Sequence, residues 1–411
     1  MKLLLFICTA FVLRQTLCAT FPKAGCAILV NEHVSDPQPL LVLQNDAVTD
    51  VEAMVLPDDE LGTINFNKGE SIDIACPGTE VVVSNVSTHK DVVSISCSSG
   101  IKFTVNGKAV PFPEITCLKT PSNLAQYTGK TCGASKYKEI EIGFQVQDRF
   151  IRHITTCFDD KLQHAVYSQS YLVYNIAGSQ VNYPRPVFQV GKFYNVKPDT
   201  VDALYSRKGQ ALTINGILGL EESDTSVIHP TSNIYLATGH YVPKAEFVFG
   251  IQQRLTFYYV NAAPQWQNFN GGNWNTMEAN YRKLAEERQT DFIVYTGSYG
   301  IATLPDVNDD EQELYLWIGP NGKKGIPIPA QFYKVIYDPL SKAGVALLGF
   351  NNPHKEYDES DKICKDICNK ISWLTWKAKD PNLGLAYCCE VNDFRKTVKD
   401  LPKFTVTSLL T

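Results

Sequence analysis

The sequence predicts an α+β protein: a small, disulfide-containing β-module followed by a larger domain on a central antiparallel sheet. Three observations carry this. Residues 20–140 alternate short β-branched runs with Gly and Asn turns. Residues 141–411 mix such runs with one clearly amphipathic segment near Trp274. And 411 residues exceed what one core of typical size accommodates. With 44% hydrophobic and 20% charged residues, the chain has ordinary globular composition.

Residues 1–19, MKLLLFICTAFVLRQTLCA, read as a signal peptide. Lys2 gives the positive start, Leu3 to Leu13 form an apolar run too short to span a bilayer, and small residues surround Cys18 and Ala19. No later stretch is long and apolar enough to span. The expectation is a soluble secreted protein. Of the 12 cysteines, Cys8 and Cys18 leave with the leader; the even number remaining implies disulfides in an exported chain. Spacing does not fix their pairing. The alternative for Cys364, Cys368, Cys388 and Cys389 is a zinc site, but their spacing is not the usual paired C-x2-C. Asn85-Val86-Ser87 is an N-glycosylation sequon and marks an exposed loop.

In the first module, Glu80–Val86, Val92–Cys97 and Ile101–Val105 read as strands, and Asn106-Gly107 is a hairpin turn. Cys76 to Cys132 fall here, as expected of a stapled module. Its role is open between a binding or regulatory module and a pro-segment. In the second domain, strands are expected at Ile140–Val146, Gln163–Tyr174, Ser232–Ala237 and Leu255–Val260. Trp274, Met277, Tyr281 and Leu284 recur at spacings of three and four, so Trp274–Glu287 reads as a helix, with Asn273 as its N-cap after the Gly271-Gly272 break. Strands return at Phe292–Thr296, Leu314–Ile318 and Phe332–Tyr337. From Ser360 a helix is expected, with Cys364 and Cys368 one turn apart. The acidic run Asp306–Glu311 reads as a solvated loop, since an EF-hand would need Gly at its sixth position.

The net charge of −5 argues against broad electrostatic capture of nucleic acid. Any nucleic-acid chemistry therefore needs a local basic cleft. Two segments supply candidates. One is Thr238-Gly239-His240-Tyr241-Val242-Pro243-Lys244. The other runs from Asn261 through Gln265 and Asn270 to Glu278 and Arg282. His240 is a side chain type that titrates near neutrality and can take a proton from water. Asn270 offers a neutral oxygen, suited to Mg2+, which uses few protein ligands. Positions 270, 274, 278 and 282 follow one side of the helix, so Glu278 could hold a water and Arg282 a phosphate. Singly, each has an ordinary structural reading: a core histidine, a turn asparagine, and an i,i+4 surface pair for Glu278 with Arg282.

Taken together, the second segment has the pattern N-x3-Q-x4-N-x3-W-x3-E-x3-R, met at Asn261, Gln265, Asn270, Trp274, Glu278 and Arg282. It resembles the active-site signature of the DNA/RNA non-specific endonucleases, the ββα-metal family of endonuclease G and secreted bacterial nucleases. The resemblance covers roughly residues 140 to 400, including Val294–Gly297 and Ile326–Pro329. It implies His240 as general base, Asn270 as direct ligand of Mg2+ (with Mn2+ as the alternative), and Glu278 acting through a metal-bound water. It further implies Arg282 on phosphate and Asn261 arranging the site, with Arg185, Lys244 and Gln265 toward substrate. The family's D-R-G-H reads Ala237-Thr238-Gly239-His240 here, so the phosphate-stabilising Arg is replaced by Thr238. Arg185 or Lys244 would have to supply that charge. The arrangement with an N-terminal module is similar to secreted arthropod digestive nucleases that degrade double-stranded RNA. The expected activity is metal-dependent hydrolysis of RNA, double-stranded above all, and DNA. Two rivals remain: a nuclease-like protein that binds nucleic acid without cutting it, and a phosphodiesterase of small nucleotides.

Overall fold

A computed structural model describes residues 25–44 and 53–411; the leader read at residues 1–19 lies outside the described residues. The architecture is α+β and strand-dominated. Its centre is a nine-stranded sheet. Strands run in the order Leu124–Cys132, Tyr137–Val146, Arg149–Asp159, His164–Leu172, Phe292–Ile301, Pro329–Asp338, Ala343–Phe350 and Ala386–Cys389. All these neighbours are antiparallel; only Ser408–Leu409 joins in parallel, beside Ala343–Phe350. Pro329–Asp338 and Ala343–Phe350 are almost wholly buried, which explains why they read as continuous apolar runs rather than alternating ones.

Before this sheet lie smaller antiparallel ones: five strands from Leu40–Val42 to Lys108–Pro111, three around Val81–Val83, and Cys26–Leu29 with Thr63–Phe66. Asn106 and Gly107 both take positive φ, 49° and 79°, and make the expected hairpin turn. Asn85 of the sequon sits exposed at a similar turn, with φ 65°. The ten described cysteines pair as Cys26–Cys97, Cys76–Cys117, Cys132–Cys157, Cys364–Cys389 and Cys368–Cys388. Cys132 is thus tied into the large sheet, not into the module before it. The zinc alternative falls away, because the four C-terminal thiols are spent on disulfides. One hydrophobic core runs from Cys26 to Leu410, so the early sheets and the large sheet pack as a continuous body. Gln38 ties the early part to later segments: its amide donates to Gln180 in a loop at 2.8 Å and accepts from the Ile251 amide of the short helix Gly250–Gln253 at 3.1 Å.

Three local expectations are corrected. Leu255–Val260 is not a strand but two 3-10 turns, Arg254–Thr256 and Tyr259–Asn261. Nearly every side chain there is buried, so neither face was free to alternate, and the Asn261 amide bonds back to Thr256 O at 3.0 Å. The helix expected to carry Cys364 and Cys368 is not formed: Cys368 starts a short 3-10 turn, Cys368–Lys370, and the one α-helix described in this tail is Val391–Phe394. Cys364 and Cys368 are tied to Cys389 and Cys388, consecutive residues of one strand that point to opposite faces, and one helical face cannot meet both. Finally, Asn273 does not cap the site helix. Its amide crosses to Lys377 and Gly384, and the helix Asn275–Arg288 follows a π-turn, Asn270–Trp274, that is broken at Gly272. Among the described residues no helix is long and apolar enough to cross a membrane.

Candidate active site

A two-stranded hairpin, Leu236–His240 with Ala262–Trp266, leads through Gln267–Phe269 and the π-turn into the helix Asn275–Arg288. This is a β-β-α unit. It is anchored to the large sheet by buried Asn351, which accepts from Trp266 N at 2.9 Å and donates to Pro264 O and Pro329 O at 3.1 and 2.8 Å. Gly239 is required on steric grounds: a Cβ there would lie 2.4 Å from Gln265 Oε1. His240 ends its strand, and the chain beyond is fixed by the Tyr241 hydroxyl on Ala165 O at 2.9 Å.

The unit opens on a cleft of about 640 Å³ that gathers Arg185, His240, Lys244, Asn270 and Glu278. Thr238 and Ala237, in place of the family's Arg and Asp, line it too. His240 is set between Phe188 and Phe257, each with its ring centroid 5.0 Å away. Its Nε2 is buried without a hydrogen-bond partner. Burial, aided by the Arg185 charge, lowers its pKa to about 3, so the imidazole is neutral across the physiological range. Lys244 donates to Tyr183 O, and burial together with the Arg185 charge holds its pKa below the usual lysine value. Two cations therefore share one wall of the cleft, which supplies the local basic patch that the acidic chain lacks overall.

Asn270 donates its amide to Gln267 Oε1 at 3.1 Å, which leaves its own carbonyl oxygen without a partner among the described residues. Glu278, partly open to the cleft but enclosed by protein, has its carboxyl pushed up by burial to about 7, against the opposing charges of Lys334 and Arg282. A carbonyl and a carboxylate, both oxygen donors with spare capacity, suit a hard divalent cation.

Four residues of the signature stay out of the cleft lining, among them Trp274, which is buried in the core. Asn261 is fully buried: its side chain accepts from Val242 N at 3.1 Å and donates to Val242 O at 2.9 Å. It fixes the turn after His240. Gln265 is fully buried over Gly239, with neither side-chain polar atom hydrogen-bonded. Arg282 is half-buried beside Glu278 and leaves Nη1 without a partner.

The sequence reading missed Phe188 and Phe257, which enclose His240, Gln267, which orients Asn270, and Lys334. A signal existed for Lys334: a lone charge in the otherwise apolar run Phe332–Tyr337 is affordable only if partnered. It is fully buried, 3.5 Å from Glu246. The aromatic pair had no signal, since it is brought to His240 from two distant segments.

A β-β-α unit here brings a neutral histidine, oxygen donors and two cations to one cleft, groups of the kind that metal-assisted phosphodiester hydrolysis uses. The DNA/RNA non-specific endonuclease family matches residues 133–394, and the chain belongs to that family, which is metal-dependent. A salivary endonuclease of Lutzomyia longipalpis is 29% identical over 92% of this chain and 85% of its own length. Salivary protein Tsal1 of Glossina morsitans morsitans is 24% identical over 93% and 92%. A solved EndoG/EndoGI complex aligns over 62% of this chain and 87% of that one at 16% identity, with a TM-score of 0.33.

Proposed function

We propose that the protein is a secreted, Mg2+-dependent endonuclease that hydrolyses phosphodiester bonds of RNA, with double-stranded RNA preferred, and of DNA. The observation that carries this is the convergence of His240, Asn270, Glu278, Arg185 and Lys244 on one cleft. His240 is the general base: its neutral imidazole takes a proton from a water, the resulting hydroxide attacks phosphorus, and the P–O bond to the leaving oxygen breaks, that oxygen taking a proton from solvent. A pKa near 3 makes a weak base in the free protein. An anionic phosphate beside Arg185 offsets the charge that helps depress His240, so basicity rises as substrate enters. Arg185 and Lys244 neutralise the phosphate oxygens in place of the Arg that Thr238 replaces. Asn270 and Glu278 would hold the cation, whose contribution is to stabilise charge on the phosphate oxygens. Asn261 acts at one remove, by fixing the backbone after His240. Water as nucleophile makes the 2′-OH dispensable, so DNA is cut too.

A second reading has its own observation. Thr238 and Ala237 stand where the family has Arg and Asp, which favours a protein that holds nucleic acid and cuts it slowly. The test is cleavage of long double-stranded RNA and of plasmid DNA, with Mg2+ and with EDTA. The enzyme reading expects cutting that EDTA abolishes. Binding without cutting in Mg2+ selects the second reading, and cleavage of a small model diester with long polymers intact selects a nucleotide phosphodiesterase.

A further inference from the structure

The cleft holds more aromatic surface than phosphate chemistry needs. Phe188, Tyr205 and Tyr235 line it together with the charged residues. Phe188 and Tyr205 each lie 5.1 Å from the Tyr259 ring and extend the core to the cleft edge. Tyr235 differs. It rests on a cation: the Arg207 guanidinium carbon is 3.7 Å from its ring centroid. Arg207 is itself fixed, because its Nη1 donates to His229 O at 2.6 Å and Ser232 O at 2.7 Å. The ring is half-buried, and its hydroxyl has no hydrogen-bond partner among the described residues.

Its position along the cleft is also fixed. Tyr235 O accepts from Gln267 N at 2.9 Å, and the Gln267 side chain holds the Asn270 amide at 3.1 Å. Tyr235 and the residue assigned to the cation thus line one cleft and are linked through Gln267. A cleft of about 640 Å³ is within the range of small-ligand sites and admits a nucleotide, not only its phosphate.

We propose that Tyr235, backed by Arg207, is a stacking platform for a nucleobase drawn out of its helical stack next to the scissile phosphate. This rests on the nuclease reading and deepens it. Every base has a π-face, so an aromatic platform grips the polymer without reading its sequence, as a non-specific nuclease requires. The cation beneath the ring holds the platform in place through its attraction to the π-face. Drawing a paired base from a duplex is unfavourable, and least so where the base is already unpaired. Within a double-stranded substrate, a bulge or mismatch is therefore the favoured point of engagement.

The test uses the full chain in EDTA, so that nothing is cut, and a short single-stranded oligonucleotide carrying 2-aminopurine. The wild type is expected to bind it and quench its fluorescence, and to bind an abasic version about tenfold more weakly. Tyr235→Ala is expected to bind the base-bearing strand about tenfold more weakly, without quenching, and to lose the distinction from the abasic strand. Tyr235→Phe keeps both affinity and quenching. The platform is overturned if the wild type binds base-bearing and abasic strands equally, or if folded Tyr235→Ala binds and quenches as the wild type does. Absence of any binding by the wild type overturns the platform, while the nuclease reading stands or falls on the Mg2+-dependent cleavage of long double-stranded RNA and plasmid DNA. Normal binding without base dependence overturns the platform alone.

Discussion

Two clusters of charge adjoin the helix Asn275–Arg288, and they are built on opposite plans. In the buried cluster every charge is matched. Glu246 and Lys334, both fully buried, lie 3.5 Å apart. Glu246 also accepts from the Tyr281 and Ser170 hydroxyls, and Lys334 donates to Thr296 at 2.7 Å and Tyr241 O at 3.1 Å. In the cleft the polar atoms are left open. His240 Nε2 has no partner, the Asn270 carbonyl has none, and two cations sit side by side. The cleft groups are also partly exposed, whereas Glu246 and Lys334 are not, so the unpaired groups of the cleft are the ones a ligand can reach. A closed cluster holds a fold; an open one is set for a ligand.

The comparison breaks most visibly if the closed cluster is opened. Lys334→Met leaves Glu246 buried and unpaired, and should lower unfolding free energy by about 3–5 kcal/mol in chemical denaturation. Lys334→Met with Glu246→Gln should recover most of that loss. If the single variant is as stable as the wild type, the cluster is not what secures the helix to the sheet.

A second effect tests buried histidines that lack a charge partner. His153 lies between the Phe144 and Phe247 rings, and burial lowers its pKa from 6.5 to about 4. The unfolded chain therefore binds a proton that the folded chain refuses between those values. Stability is full above pH 6.5 and falls as pH drops toward 4, by up to about 3 kcal/mol from this residue. His240 and His164, also lowered, act in the same direction. Denaturation midpoints of His153→Leu should decline less steeply with acid than those of the wild type; parallel curves would remove His153 from the account.

The smaller effects concern the cleft. Asn270→Ala should move the Mg2+ titration of activity about tenfold higher while leaving thermal stability near wild type, consistent with loss of one outer-facing ligand. An unchanged titration would show that Asn270 is not the ligand. Glu278, pushed up to about 7, is protonated below that value, so metal saturation should need more Mg2+ at pH 6 than at pH 8. The same Mg2+ requirement at both pH values would show that Glu278 takes no part in holding it.

How much of this was legible in the sequence follows physical lines. Short β-branched runs and turn residues located the strands expected at Val92–Cys97 and Ile101–Val105, found as Val92–Ser99 and Lys102–Val105, and the Asn106 hairpin between strands with one face in water. Leu255–Val260 misled, because an all-buried segment carries no period. Helical spacing in the motif placed Glu278 correctly in the cleft but suggested the same for Arg282, whose side chain the packing keeps beside Glu278 and out of the lining. Asn261 and Gln265 share the motif with Asn270 yet are buried, since a signature records what a site needs, whether contact or scaffold. Arg185 and Lys244, expected to cover for the Arg missing at Thr238, do share the cleft wall. Phe188 and Phe257 meet at His240 only through tertiary packing, which local sequence does not encode.

The central claim is that the open cluster is catalytic and that His240 is its base. The most direct measurement is the single-turnover rate on long double-stranded RNA in saturating Mg2+ for the wild type and His240→Ala, with a thermal melt of each. The account predicts a loss of at least about a hundredfold with an unchanged melt. A folded His240→Ala protein that cuts at the wild-type rate would contradict it.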